Sequence, residues 1–359
     1  MSLCIKFSFF QFKRNKGAGE MKKKLVAMLL TIMLVLSLAA CGKKSKDDVV
    51  GSLSNQMEKM NGYKADATLT INNGNDPQKY EVVIWHKKPS YYRVQLKNAK
   101  SDQNQIILRN KEGVFVLTPA LNKSYRFQSD WPSNSSQPYL PESLVNDLVQ
   151  DKNATFKTTK LGYVFETKTN YTNRQLLPTQ EITFNKKGLT PESVKLLDTD
   201  KNVVLDVKFD KVQYNAKFDN DAFDVKKNMT SARLSVPTST NPNNDPNLLV
   251  TLYPNYLMKG VVLDDQQEVK TNNGVQVILS YKGDKKSFTL IEEKARISES
   301  GTTMEITGEP VDLGKTVGAL SDKMITWSYG GTDFTIVSKN LTQGELIQVA
   351  QSVGDTGTK

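Results

Sequence analysis

The chain reads as an α+β protein. It predicts one strongly curved antiparallel sheet with helices laid across its concave face, followed by a smaller α+β unit. Three observations in the 359 residues carry this. From Lys64 onward, apolar residues recur at every second position in short runs closed by Pro, Gly or Asn, the signature of strands in a meander. Before residue 234 only 47–60 and 142–149 carry a helical stripe instead. Residues 235–247, with Pro237, Pro242 and Pro246 among Ser, Thr and Asn, read as a linker between two folded parts.

The helix over 47–60 places Val49, Val50, Leu53, Met57 and Met60 on one side, with Asp47 and Asp48 at its start and Asn61-Gly62 as its stop. Residues 64–72 then alternate Ala65, Ala67, Leu69 and Ile71 with polar neighbours, and Asn73-Gly74 begins a turn. Strands follow over 80–86, 91–96, 105–109, 114–118 and 123–128. A Ser/Pro/Asn-rich loop holding Trp131 leads to the second helix, with Leu144, Val145 and Leu148 on one side. Five more strands span 155–159, 163–169, 180–184, 193–197 and 203–209. Beyond the linker, strands are predicted over 275–281, 287–292, 304–307, 324–329 and 333–338, the last two joined by Gly330-Gly331. Thr342-Gln343-Gly344-Glu345 has capping-box form and opens a helix burying Leu346, Val349, Ala350 and Val353.

The N-terminal residues predict where the chain works. Lys22-Lys23-Lys24 precede an apolar run over 25–40, broken only by Thr31 and Ser37, that ends in Leu38-Ala39-Ala40-Cys41. A charged segment, an apolar segment and small residues before a cut make a secretory signal peptide. Its 16 residues fall short of the roughly 20 a helical span needs. An aliphatic residue, two small ones and Cys resemble the bacterial lipoprotein cleavage site. The resemblance implies cleavage between Ala40 and Cys41 and acylation of the Cys41 thiol, which fixes the protein to the extracytoplasmic face of the cell membrane. Residues 1–20, with Phe7, Phe9, Phe10 and Phe12 ahead of basic residues, suit no signal peptide and read as an extension before a true start at Met21. The expected division is thus a signal peptide to residue 40, a lipidated tether over 41–46, a first folded part over 47–234, the linker, and a second part over 248–359.

Charge and residue usage narrow the function classes. The formal charge of +10 includes seven basic residues and one acidic residue before Cys41, which leaves +4 on the remaining 319 residues. That ordinary balance argues against nucleic acid as a partner. Cys4 apart, Cys41 is the sole thiol, so no disulfide is expected even after export. His86 is the only histidine. A His-dependent nucleophile would have to use it, and zinc sites normally draw on clustered His and Cys, so no metal or cofactor is expected. Carboxylates remain: Asp219, Asp221 and Asp224 form one group and Asp264-Asp265 another. The first suits turn-binding or calcium, and a glycosidase pair is left open. Tyr91, Tyr92, Tyr125, Phe127 and Trp131 interleave with Lys88, Arg93, Lys123 and Arg126, a pattern that suits either a glycan-binding face or a strand pair with one wet side.

Several segments resemble one family. Lys111-Glu112-Gly113 with the strand to Pro119 is similar to a hairpin of LolA-like (outer-membrane lipoprotein carrier-like) proteins. Residues 178–184, Lys187-Gly188 and 194–198 resemble their paired late strands, and 219–225 the segment that closes their sheet. Within that superfamily the chain resembles YdcC/GerS-type sporulation and germination lipoproteins. Pro254 to Val261 and the closing helix resemble small domains of regulators, including RseB-type sensors. The resemblance implies a half-barrel whose apolar inner face can take acyl chains, lined by Leu69, Ile71, Val82, Ile84, Val94, Leu96, Phe115 and Leu117. Leu53, Met57, Leu144 and Leu148 would then face it from the helical lid. A solid core built from the same side chains is the alternative. Where LolA has an Arg before a Pro that helps hold the lid, this chain has Lys88 before Pro89. The resemblance further implies a non-catalytic scaffold or regulator of sporulation or germination, partnering an envelope protein such as a cortex-processing amidase. A lipid or lipoprotein binder and, more distantly, an envelope hydrolase are the other readings.

Overall fold

The period-two stretch folds into a single large sheet in a computed structural model of the chain. The structure describes residues 44–72, 77–98, 104–132, 136–171, 174–234, 249–271, 274–299, 301 and 303–354. Ala40 and Cys41, the Asn73-Gly74 turn and the whole of the 235–247 linker lie outside the described residues. Among those described, no helix is long and apolar enough to cross a membrane.

Helix α1 (Lys46–Lys59) starts with a reciprocal cap: Ser45 N donates to Asp48 Oδ2 at 3.1 Å, and Asp48 N donates to Ser45 Oγ at 3.2 Å. Strands β1 (Gly62–Ile71), β2 (Gln78–Lys87), β3 (Tyr91–Asn98), β4 (Asn104–Asn110), β5 (Gly113–Thr118) and β6 (Lys123–Phe127) form the predicted meander. After α2 (Pro141–Gln150) come β7 (Thr155–Thr158), β8 (Gly162–Lys168), β9 (Thr179–Asn185), β10 (Pro191–Leu197) and β11 (Val203–Tyr214). Helix α3 (Val225–Leu234) closes this half. β11 returns to pair with β1, so the meanders β1–β6 and β7–β11 flank a central β1–β11 seam. Bulges at Asp66/Ala67 and Leu196/Leu197 add local twist to this curved sheet.

The second half holds β12 (Val262–Thr271), β13 (Gly274–Lys282), β14 (Ser287–Lys294), β15 (Thr303–Ile306), β16 (Glu309–Asp312), β17 (Val317–Leu320), β18 (Met324–Tyr329), β19 (Thr332–Val337) and α4 (Gln343–Ser352). Gly330 and Gly331, at φ 59° and 78°, make the two-residue turn between β18 and β19, a geometry that glycine adopts without steric cost. The capping box is present: Glu345 N donates to Thr342 Oγ1 at 3.3 Å and Thr342 N to Glu345 Oε2 at 2.8 Å. Seven of these strands form a second sheet, in the order β12-β13-β14-β19-β18-β17-β16. The exception is β15, which leaves its neighbours and pairs parallel to β6 as the twelfth strand of the first sheet.

From Val49 onward the chain forms one compact unit. Val317 and Ala319 of β17 belong to the same buried cluster as Leu69 and Val82. Gln105 of β4 accepts from Val317 N at 2.8 Å and from Thr316 Oγ1 at 3.0 Å. Lys123 pairs with Asp333 at 2.8 Å, and Asn122 Nδ2 donates to Ser298 O at 2.7 Å.

The two faces of the large sheet differ from the expectation in one respect. Leu69, Val82, Ile84, Val94 and Leu96 share a buried cluster with Leu53, Leu144 and Leu148, and Ile71 and Met57 pack against it. Phe115 and Leu117 do not. They lie on the opposite face with Ile106, Leu108, Phe223, Met229 and Ala232, beneath α3. Their neighbours Val114 and Val116 are the β5 residues that face Val94. β5 is buried on both sides, so alternation of apolar with polar residues could not say which set faces inward.

Candidate functional site: a cleft between the two sheets

Between the two sheets lies a cleft of about 290 Å³. Leu196 and Leu205 of the large sheet, Tyr171 and Leu177 of a loop, Val311 and Leu320 of the small sheet and Ile347 of α4 give it apolar walls. Gln343 and Gln351 of α4 and Glu309 at the start of β16 give it polar ones.

Beneath it lies a buried polar cluster that ties four elements together. Asp147 of α2 accepts from Ser136 Oγ and from Gln180 Nε2 of β9, both at 2.6 Å, and burial raises its pKa. Asp312, at the end of β16, accepts from Gly314 N at 2.7 Å and lies in hydrogen-bonding reach of the Tyr139 hydroxyl. Burial raises Asp312 as well. Burial, with the negative charges of Asp147 and Asp312 adding to it, raises the pKa of the Tyr171 hydroxyl well above its ordinary value. Its Oη finds no hydrogen-bond partner among the described residues. Both carboxylates are held by structural donors, as in a polar joint that fixes the 136–140 loop against β9 and β16. Sequence reading missed this cluster because its members are far apart in the chain and none sits in a motif.

The residues singled out for chemistry do not assemble. His86 is 3 % exposed. Its ring stacks on Tyr92 with centroids 4.3 Å apart, its Nδ1 meets Tyr91 O at 3.1 Å, and burial lowers its pKa. Asp224 caps α3 by accepting from Lys227 N at 2.7 Å, while Asp221 pairs with the Lys227 ammonium at 2.6 Å. Asp264 and Asp265 stand exposed on β12. The aromatic and basic residues do not share an outer face either. Tyr92, Phe127 and Trp131 are inside the main cluster. Arg93 is buried, donates to Asn228 Oδ1 at 2.6 Å and stacks on Trp85 at 4.6 Å; burial brings its pKa down to about 10. Lys88 does hold the first helix, in its own way. Its ammonium donates to Met57 O at 2.9 Å and Glu58 O at 2.5 Å, at the C-terminal end of α1, where a positive charge is favourable.

The family model described as "Sporulation protein YdcC-like" matches residues 21–223. The chain is 48% identical over 340 residues to the sporulation protein YdcC of Bacillus subtilis (strain 168), covering 95% of this chain and 99% of that protein. The chain belongs to the sporulation protein YdcC-like family. Likeness of this YdcC-like chain to solved structures is more distant. The complex of Pseudomonas aeruginosa MucA and MucB matches at 14% identity and a TM-score of 0.33, over 86% of this chain and 98% of the matched one. A LolA superfamily protein from Nitrosomonas europaea matches at 9% identity and a TM-score of 0.29, over 50% of this chain and 98% of its own. A chain of the Clostridioides difficile CwlD amidase–GerS lipoprotein complex matches at 17% identity and a TM-score of 0.23, over 48% and 98%.

Proposed function

We propose that this YdcC-like chain is a non-catalytic sporulation protein, held at the extracytoplasmic face of the cell membrane by lipid on Cys41, that works by binding and positioning another envelope protein. The supporting observation is the occupied concave face of the large sheet. Leu69, Ile84, Val94, Leu53 and Leu144 are all 0 % exposed and share one cluster. The chain's own helices therefore take the place that an acyl chain would fill. The carboxylates and the histidine best placed for chemistry spend their hydrogen bonds on holding the fold. A cortex-processing enzyme such as an amidase is the partner class to test first, on the resemblance to GerS-type lipoproteins.

Native mass spectrometry of the full lipidated protein, extracted in mild detergent from sporulating cells, tests this reading. A complex with a second protein is the expected result. A stoichiometric lipid beyond that on Cys41, with no protein bound, overturns it in favour of a lipid carrier or sensor. Release of sugar or peptide from purified peptidoglycan, abolished by Asp312→Asn, overturns it in favour of a hydrolase. The anchor is tested separately: Cys41→Ala is expected to lose labelled palmitate and leave the membrane fraction.

A further inference from the structure

β12 is an edge strand of the small sheet, and its ten residues are exposed on both faces along the whole length. The strand beside it is different: Val277, Leu279 and Tyr281 of β13 are buried. β12 therefore contributes no buried side chain to the core. It is held by its backbone ladder to β13, with Tyr253 Oη donating to Gln266 Oε1 at 2.9 Å. An edge strand presents a row of N–H and C=O groups able to accept one more strand.

From this geometry we infer that the outer edge of β12 is a docking rail for an extended, basic segment of another protein, which adds to the small sheet as an eighth strand. Charge decides the occupant. The strand carries Asp264, Asp265 and Glu268 against Lys270 alone. Among the described residues none of those carboxylates forms an ion pair; Asp265 accepts from Gln267 Nε2 at 2.7 Å. Val262, Leu263 and Val269 are exposed at 62 %, 41 % and 38 % and bracket the acidic centre. An incoming strand with Lys or Arg opposite the acids and aliphatic residues toward its ends meets both features. A second copy of β12 would bring two net-acidic strands together, which like-charge repulsion opposes. Charges on an edge strand also keep unwanted strands away. A short or covered edge would do that, however, without a ten-residue strand that adds nothing to the core.

This inference rests on the reading of the chain as a protein-binding module, and it names the surface used. The probe is a capped nonapeptide of alternating lysine and valine, added to the full lipidated protein in detergent. Hydrogen exchange is followed in β12, with β13 and β14 as folding controls. The expected result is at least tenfold slower exchange of β12 amides. That protection is lost in the Asp264→Lys/Asp265→Lys/Glu268→Lys variant and with a glutamate–valine peptide. It is also lost with the same basic peptide N-methylated at alternate amides, which keeps the charge and cannot complete a ladder. No protection, or protection indifferent to N-methylation, overturns the proposal; so does concentration-dependent protection without peptide, which assigns the edge to a second copy. If the charge-reversed variant still co-purifies with a protein partner from sporulating cells, the rail fails while the partner-binding reading stands.

Discussion

At the residue scale, the informative positions are charged groups placed where alternation calls for apolar ones. Glu292 occupies the inward register of β14 after Phe288 and Leu290 and is 0 % exposed; burial raises its pKa to about 7, against a backbone hydrogen bond from Leu252. A carboxyl raised in this way keeps its proton in the folded state at a pH where the unfolded chain has lost it. Stability therefore falls as pH rises from about 4.5 to about 7 and stays lowered above that range. Glu292→Gln is expected to be neutral near pH 4. At pH 8 it should stabilise by about 1–3 kcal/mol, measured as the difference between urea midpoints at the two pH values. Lys88 is the opposite case, a charge that the fold uses directly. Lys88→Met keeps the aliphatic stem and removes the donor to the Met57 and Glu58 carbonyls. A loss of about 1–2 kcal/mol is expected, with faster amide exchange confined first to the last turn of α1.

At the scale of elements, helix ends and doubly buried strands decide what was readable. The Thr342–Glu345 box is local, spans four residues and was legible as written. Thr342→Ala should cost about 1 kcal/mol in chemical denaturation. Helix α3 escaped the sequence reading even though Asp224 caps it, because its Lys226, Lys227 and Arg233 dilute an apolar face that is only Met229, Ala232 and their neighbours. Removing the anchor that seats it, by Phe223→Ala, should cost about 3 kcal/mol and release α3 from Ile106 and Leu108, read as a lowered thermal midpoint. β12 escaped for a related reason: Asp264-Asp265-Gln266-Gln267-Glu268 has no period of two. Its strand form depends on the ladder to β13 and not on a buried face.

At the scale of the molecule, the two sheets are coupled by few but well-placed groups. Gln105 is the central one, since its Oε1 serves both Thr316 and Val317 across the junction. Gln105→Ala leaves the buried Val317 amide without that acceptor. It should cost about 2 kcal/mol, and the prediction extends to cooperativity. The wild type is expected to unfold in one calorimetric transition. The variant should show a broadened or split one if this joint transmits cooperativity between the halves.

The sequence by itself determined the succession β1–β11 with α1 and α2, the face of most of those strands, the hairpin at Gly330-Gly331 and the box that starts α4. Each rests on contacts within a few residues, which periodicity and capping record directly. Only the tertiary structure decided that Phe115 and Leu117 face α3, that β15 crosses to the first sheet, and that Asp147, Asp312 and Tyr171 meet beneath one cleft. Those outcomes depend on which distant surface covers a side chain, a non-local quantity that alternation along one strand does not encode.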